Sequence, residues 1–246
     1  MSEPVNQPLR GSNATRHYES RPDGSVQVRE IMYTIQGEGI YAGYPAVFVR
    51  LSGCNLRCHF CDTYWADESD PMMTPRMILD HVRSKWPPHN HITLPLIVLT
   101  GGEPLRQDIE KLLDELIDCG GYHVQIETAG TLWQRCLNTY SSHQLTIIVS
   151  PKTPKINDDI RHRANAFKYV VGHDDKLGER GIPITATQGG EPRQLALPEP
   201  AMPVFLSPRD DFDEEKNRKN RYTVAQVALA YGHRAGLQLH KFFGVD

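Results

Sequence analysis

Gly53-Cys54-Asn55-Leu56-Arg57-Cys58-His59-Phe60-Cys61-Asp62-Thr63 carries three cysteines within eight residues, spaced Cys-x3-Cys-x2-Cys. No fourth cysteine lies nearby; the other two are Cys119 and Cys136. A closed zinc site wants four soft ligands, usually paired cysteines or cysteines with histidines. A four-iron cluster held by only three thiolates leaves one iron with an open position, which suggests chemistry rather than scaffolding. The competing reading is a zinc-stabilised loop with His59 as fourth ligand. His59 sits directly between two cysteine ligands and would strain to share one tetrahedron with them.

Outward from this stretch, the chain alternates strands and helices. Ala46–Leu51 reads as a buried strand that runs into the cysteines, with Arg50 at its end. A guanidinium there is either paired structurally or aimed at a ligand carboxylate. Upstream, Val26–Ile35 reads as a strand leading into the turn Gln36-Gly37-Glu38-Gly39. Downstream, Thr74-Pro75 starts a helix, with a hydroxyl cap and proline at the first helical position. Further strands are predicted at Leu94–Thr100, Tyr122–Glu127, Leu145–Val149, Phe167–Val171 and Met202–Leu206. Ile109, Leu112, Leu113, Leu116 and Ile117 fall on one helical face. Weaker helices are predicted near Thr131–Asn138, Asp158–Ala164 and Val224–Tyr231, and Asp211–Lys219 reads as a solvated loop or helix start. Leu237–Lys241 reads as a terminal strand or extended tail. His89 and His91 form a His-x-His with no evident partner ligand.

This order predicts an α/β fold with a parallel sheet and helical crossovers. Six such strands suit an open, partial (βα)6 barrel better than a closed eight-fold one. The cysteine loop, Thr100–Pro104, Glu127–Gly130, Ser150–Lys152 and Ser207–Asp210 each follow a strand directly. In a parallel barrel they converge on the C-terminal rim, where active sites sit.

The cysteine spacing resembles the signature of the radical S-adenosylmethionine (SAM) superfamily. That resemblance implies a 4Fe-4S cluster on Cys54, Cys58 and Cys61, with SAM chelating the open iron. Reductive cleavage of SAM then yields a 5′-deoxyadenosyl radical that abstracts hydrogen from substrate. Phe60 is suited to pack on the adenine. Gly101 and Gly102 let strand-end backbone approach the SAM ammonium, and Glu103 fixes their loop. Ser150, Pro151, Lys152, Ser207, Pro208, Arg209 and Asp210 complete the expected SAM side.

Gln36–Gly39, Arg50–Leu56, Cys61–Thr63, Thr100–Pro104, Ser150–Lys152 and Leu239-His240-Lys241 together resemble the 7-carboxy-7-deazaguanine synthase family of queuosine biosynthesis. The resemblance implies a trimmed, modified radical SAM barrel that converts 6-carboxy-5,6,7,8-tetrahydropterin to 7-carboxy-7-deazaguanine with loss of ammonia. It places substrate against Ile35, Gln36, Gly37, Glu38, Arg50, Thr100, His240 and Asp246, and Mg2+ on Thr63. Magnesium takes oxygen ligands and keeps several waters, so one hydroxyl suits it. A homodimer and a flavodoxin- or ferredoxin-type electron donor are implied as well. A glycyl-radical activating enzyme shares the cysteine spacing but needs neither the Gln36–Gly39 turn nor Arg50. An iron–sulfur carrier and a zinc module are the non-enzymatic alternatives.

Composition sets wider bounds. The 246 residues suit one α/β domain, 39% hydrophobic and 23% charged. The net charge of -3 gives no electrostatic argument for nucleic acid or an anionic membrane. No apolar run approaches the roughly 20 residues of a membrane helix. Residues 1–25 are polar, unlike a secretory signal, and read as a flexible extension before a domain spanning 26–246. The glycine- and proline-rich 173–200 reads as an insertion or long loop. Cys119 and Cys136 read as buried small hydrophobes. Thiolates meant for iron must not be oxidised, so a reducing, cytoplasmic location is expected.

Overall fold

The computed structural model describes residues 14–61, 69–87 and 94–245. Seven strands form its frame: β1 (Val26–Ile35), β2 (Pro45–Leu51), β3 (Leu96–Gly101), β4 (His123–Thr128), β5 (Leu145–Val149), β6 (Ala166–Val171) and β7 (Val204–Pro208). They lie side by side in chain order. β2 to β7 are mutually parallel, in the registers Val49↔Leu99, Ile97↔Val124, Ile126↔Ile147, Val149↔Phe167 and Phe167↔Val204. This is the expected six-stranded partial barrel. β1 adds an antiparallel edge, pairing Met32 with Phe48.

The period of two along each strand sorts side chains to two faces. Val47, Val49, Ile97, Leu99, Val124, Ile126, Ile147, Val149, Phe167 and Tyr169 point outward into the main core. Ile78, Leu79 and Val82 of α1 (Pro75–Lys85) cover them there. Leu112 and Leu113 of α2 (Glu110–Leu113), Ile160 of α3 (Asp158–Arg163) and Val224 and Val227 of α4 (Glu214–Tyr231) complete the cover. The alternate residues face inward. Phe48 and Val98 make one small apolar cluster and Ile148, Ala166 and Phe205 another. Arg50, Thr100, Glu127, Ser150, Lys168 and Ser207 share their inward parity and reach the rim.

Thr74 caps α1 as expected, accepting a hydrogen bond from Met77 N at 3.3 Å. α2 passes into a π-helical stretch, Asp114–Cys119. Several sequence expectations change. Thr131–Asn138 yields only a 3-10 turn, Arg135–Asn138. Gln134 breaks the stretch by turning its amide inward to Leu105 O, Gln107 O and Ile109 N, satisfying buried loop backbone. The charged 211–219 segment divides at Asp213, which caps α4 through Lys216 N at 3.0 Å. The C-terminal segment is not extended: Leu239–Phe243 is a short helix, α5, closed by Gly244 at φ 67°. Cys119 is exposed at the end of the π-helical stretch, whereas Cys136 is buried.

The 173–200 segment is built structure. Lys176–Leu177, Pro183–Thr185 and Arg193–Gln194 form a three-stranded antiparallel sheet, and Ile182, Leu195 and Ala196 enter the main core. Within the segment expected to be a flexible extension, backbone hydrogen bonds run to the rim loops. Arg16 N donates to Cys54 O at 2.7 Å, and Asp108 N donates to Glu19 O at 2.8 Å. Arg106 closes this strap. Its fully buried guanidinium donates to His17 O, Glu19 Oε1 and Ser52 O at 3.0, 2.7 and 3.1 Å. No helix among the described residues is long and apolar enough to cross a membrane. His89 and His91 lie outside the described residues.

Candidate active site

The strand-end loops enclose a cleft of about 1070 Å³. Cys54, Cys58 and Cys61 line it together with Phe60, Gly101, Gly102, Ser150, Lys152, Ser207, Pro208, Arg209 and Asp210, and with Gln36, Glu38, Arg50, Thr100 and His240. Pro151 lines a small recess beside it, next to His59 and Phe60. Glu103, Ile35 and Gly37 stand behind the wall. Thr63, Asp62 and Asp246 lie outside the described residues.

None of the three thiols is in a disulfide, and Cys54 accepts from Leu56 N at 3.4 Å. Burial, with Glu103 adding to it, pushes Cys54 up to about 12, and burial raises Cys58 too. A thiolate forms as its proton is released on binding iron, and Cys54, Cys58 and Cys61 together on one cleft wall fit a three-thiolate cluster. His59 lines the small recess and not the cleft that holds the three thiols. Its backbone N and Nδ1 both address Thr187 O, at 3.1 and 3.3 Å. Among the described residues no three His, Cys, Asp or Glu side chains surround one metal-ion position.

Backbone contact holds the cysteine loop against the Gly-Gly-Glu-Pro loop. A Cβ on Gly101, whose φ is +145°, would lie 2.1 Å from Leu51 O, and one on Gly102 would lie 2.2 Å from Gly53 O. Only glycine admits that approach. Glu103 works from below: it accepts from Leu105 N at 3.1 Å, Thr128 Oγ1 at 2.7 Å and Ala129 N at 2.8 Å. It therefore fixes two rim loops, as its sequence position suggested, without facing the cleft. Glu103→Ala strands three buried donors, each worth about 1–3 kcal/mol. We expect a drop of at least about 3 kcal/mol in unfolding free energy, read by urea denaturation.

The opposite wall carries a buried charge cluster built on Lys168, which sequence reading missed. Lys168 Nζ pairs with Glu38 Oε2 at 2.6 Å and Glu127 Oε2 at 3.3 Å. Gln36 and Gln125 donate to Glu127 Oε1 at 3.1 and 3.2 Å, and Gln36 Oε1 receives Glu38 N at 3.1 Å. Burial alone would raise Glu38, but the Lys168 ammonium brings it below the usual carboxylate range. Burial likewise opposes the charge on Lys168, and Glu127 and Glu38 outweigh it, so Lys168 stays protonated. Ser207 Oγ lies beside Glu38, buried and without a hydrogen bond of normal geometry. It is a polar atom available to a ligand.

Arg50 lies near Glu30, 3.4 Å from Nε to Oε2. His240 packs over the Gln36 turn so closely that a Cβ on Gly37 would meet its Nδ1 at 2.3 Å. Arg209 and Asp210, expected on the SAM side, carry ion pairs and hydrogen bonds within the protein. Arg209 pairs with Asp174, and with Asp175 at 3.2 Å and Asp211 at 3.1 Å. Asp210 receives Lys241 Nζ, Phe212 N and Asn217 Nδ2. Both border the cleft while their polar atoms hold the loop after β7.

Three clustered thiols on the C-terminal rim of a six-stranded parallel barrel describe a radical SAM protein, and the superfamily pattern, Radical SAM superfamily, matches residues 48–190. Over 96% of its length the chain is 36% identical to 99% of the 7-carboxy-7-deazaguanine synthase of Rhodospirillum rubrum. It is 35% identical, over 96% of its length and 95% of the relative's, to the synthase of Rickettsia prowazekii. The crystal structure of QueE from Escherichia coli superposes with a TM-score of 0.60 at 25% identity, covering 87% of this chain and 94% of that one. The chain belongs to the 7-carboxy-7-deazaguanine synthase family of radical SAM enzymes.

Proposed function

We propose that this chain converts 6-carboxy-5,6,7,8-tetrahydropterin to 7-carboxy-7-deazaguanine with loss of ammonia, in queuosine biosynthesis. The observation that carries this reading is the meeting, in one cleft, of the three thiols with Gln36, Glu38 and Arg50. Cys54, Cys58 and Cys61 would hold the 4Fe-4S cluster. Bound there with SAM, the cluster supplies the one-electron chemistry that starts hydrogen abstraction from the substrate. The chain's own residues bind and orient. Phe60 offers a face to the adenine, and Lys152 and Ser207 offer donors to the polar parts of SAM.

On the substrate side, Gln36 and Glu38 present amide and carboxylate groups suited to a pterin edge, held rigid by Lys168. Arg50 would take the substrate carboxylate in bidentate fashion, exchanging its long contact with Glu30. His240, seated on Gly37, would close the cleft from the C-terminal side. We further assign Mg2+ to Thr63, a homodimeric state, a flavodoxin- or ferredoxin-type donor and a cytoplasmic location, on the family resemblance.

Losing a charge-assisted pair at Arg50 removes about 1.5–3 kcal/mol of binding. We expect Arg50→Ala to raise the KM for the carboxypterin about 10- to 100-fold. SAM cleavage without substrate should stay near wild type. Equal loss of both activities in Arg50→Ala would contradict the assigned role.

A further inference from the structure

The 173–200 sheet is not required by the chemistry assigned above, yet its tip lies on the cysteine loop. The turn between the strands Pro183–Thr185 and Arg193–Gln194 carries Thr187 and Gln188. Thr187 O receives His59 N at 3.1 Å. Gln188 Oε1 receives Arg57 N at 2.7 Å. Gln188 Nε2 donates to Cys58 Sγ at 2.9 Å and to Thr187 Oγ1 at 3.2 Å. The Arg57 N–H fixes which end of the amide is which, because the reversed amide would set donor against donor. Thr187 Oγ1 in turn donates to Lys152 O. The insertion thus spends both amide hydrogens and the amide oxygen of one glutamine around a single cluster ligand.

We propose that Gln188 is a positioning residue that sets the reduction potential of the cluster through its N–H···S bond to Cys58. The inference rests on the assignment of Cys54, Cys58 and Cys61 to a four-iron cluster. Reduction adds negative charge that spreads onto the thiolate sulfurs. A donor aimed at one of them stabilises the reduced form and raises the potential. The same hairpin covers the Cys58 side of the loop, and solvent exposure is a second lever on the potential.

The test is an EPR-monitored redox titration of the reconstituted enzyme with SAM absent. It compares wild type, Gln188→Leu, which keeps bulk and removes the donor, and Gln188→Glu, which keeps the shape. Iron and sulfide contents are measured on each. The expected result is an unchanged cluster content with a reduction equilibrium about tenfold less favourable in Gln188→Leu, equal to about 59 mV for one electron. Gln188→Glu should move at least as far in the same direction. A second readout needs no cluster: in the iron-free chain, iodoacetamide should alkylate Cys58 several-fold more slowly in Gln188→Leu, which loses the donor that favours the thiolate, with Cys136 unchanged. Equal midpoint potentials at equal iron content in all three proteins would overturn the inference and leave the cluster assignment standing. A wild-type chain that takes up no iron would overturn both.

Discussion

Lys168→Met should cost about 3–5 kcal/mol of stability, because it leaves Glu38 and Glu127 facing each other without their shared cation. Lys168 is only 7% exposed, so water cannot replace the ammonium. The pH dependence identifies the cause. Glu38 sits below its ordinary range, so its pairing stabilises the fold above the unfolded value of about 4.3 and is lost as pH falls through the folded value. Lys168 sits above its ordinary range, so its share is complete below about 10.4 and is lost as pH rises through the folded value. Between these limits the wild-type cluster contributes fully.

In Lys168→Met, burial dominates at Glu38 and its carboxyl favours protonation. The melting-temperature gap between the two proteins should therefore be widest near pH 7 and narrow below about pH 5. A gap independent of pH would show that Lys168 acts by packing alone. The variant should also lose substrate turnover, since Glu38 and the Gln36 amide are oriented through this cluster.

The second large effect is at the thiols. Cys58→Ala leaves two thiolates for a body that needs three, so iron content and SAM cleavage should fall together. We expect at least about a thousandfold loss of cleavage, equal to about 4 kcal/mol of barrier. Cys119→Ser is the control. That cysteine is exposed at the end of the π-helical stretch, and its replacement should leave iron content and cleavage at wild-type values. Uncoupled SAM cleavage surviving unchanged in Cys58→Ala would sink the cluster assignment.

Much of this was legible in the sequence where local pattern and chemistry coincide. The strands Ala46–Leu51 and Leu145–Val149 are apolar except at Arg50 and Thr146 because both their faces are buried, which marks parallel strands. The thiols, Arg50 and the glycines at 101 and 102 each follow a strand, so topology alone brings them to one rim. Lys168 was missed because it is one charged residue inside an otherwise apolar strand, and Glu127, placed on the rim, was not paired with it. The signal was parity: Lys168 alternates with Phe167 and Tyr169, and Glu127 with Ile126, which puts both charges on the inward face. Arg106 and Gln188 gave no local signal. Their partners lie 87 and 130 residues away, and only the folded chain pairs them. The terminal segment was misread because Leu239–Phe243 is too short for a helical period to show, and its cap, Gly244, was the one available cue.

The central claim is that these residues join a radical SAM centre to a carboxylated pterin. The direct measurement incubates the reconstituted chain with SAM, dithionite, Mg2+ and 6-carboxy-5,6,7,8-tetrahydropterin, and follows the products by chromatography and mass spectrometry. We predict 7-carboxy-7-deazaguanine and ammonia in equal amounts. Cleavage of SAM with no deazaguanine formed would contradict the assignment.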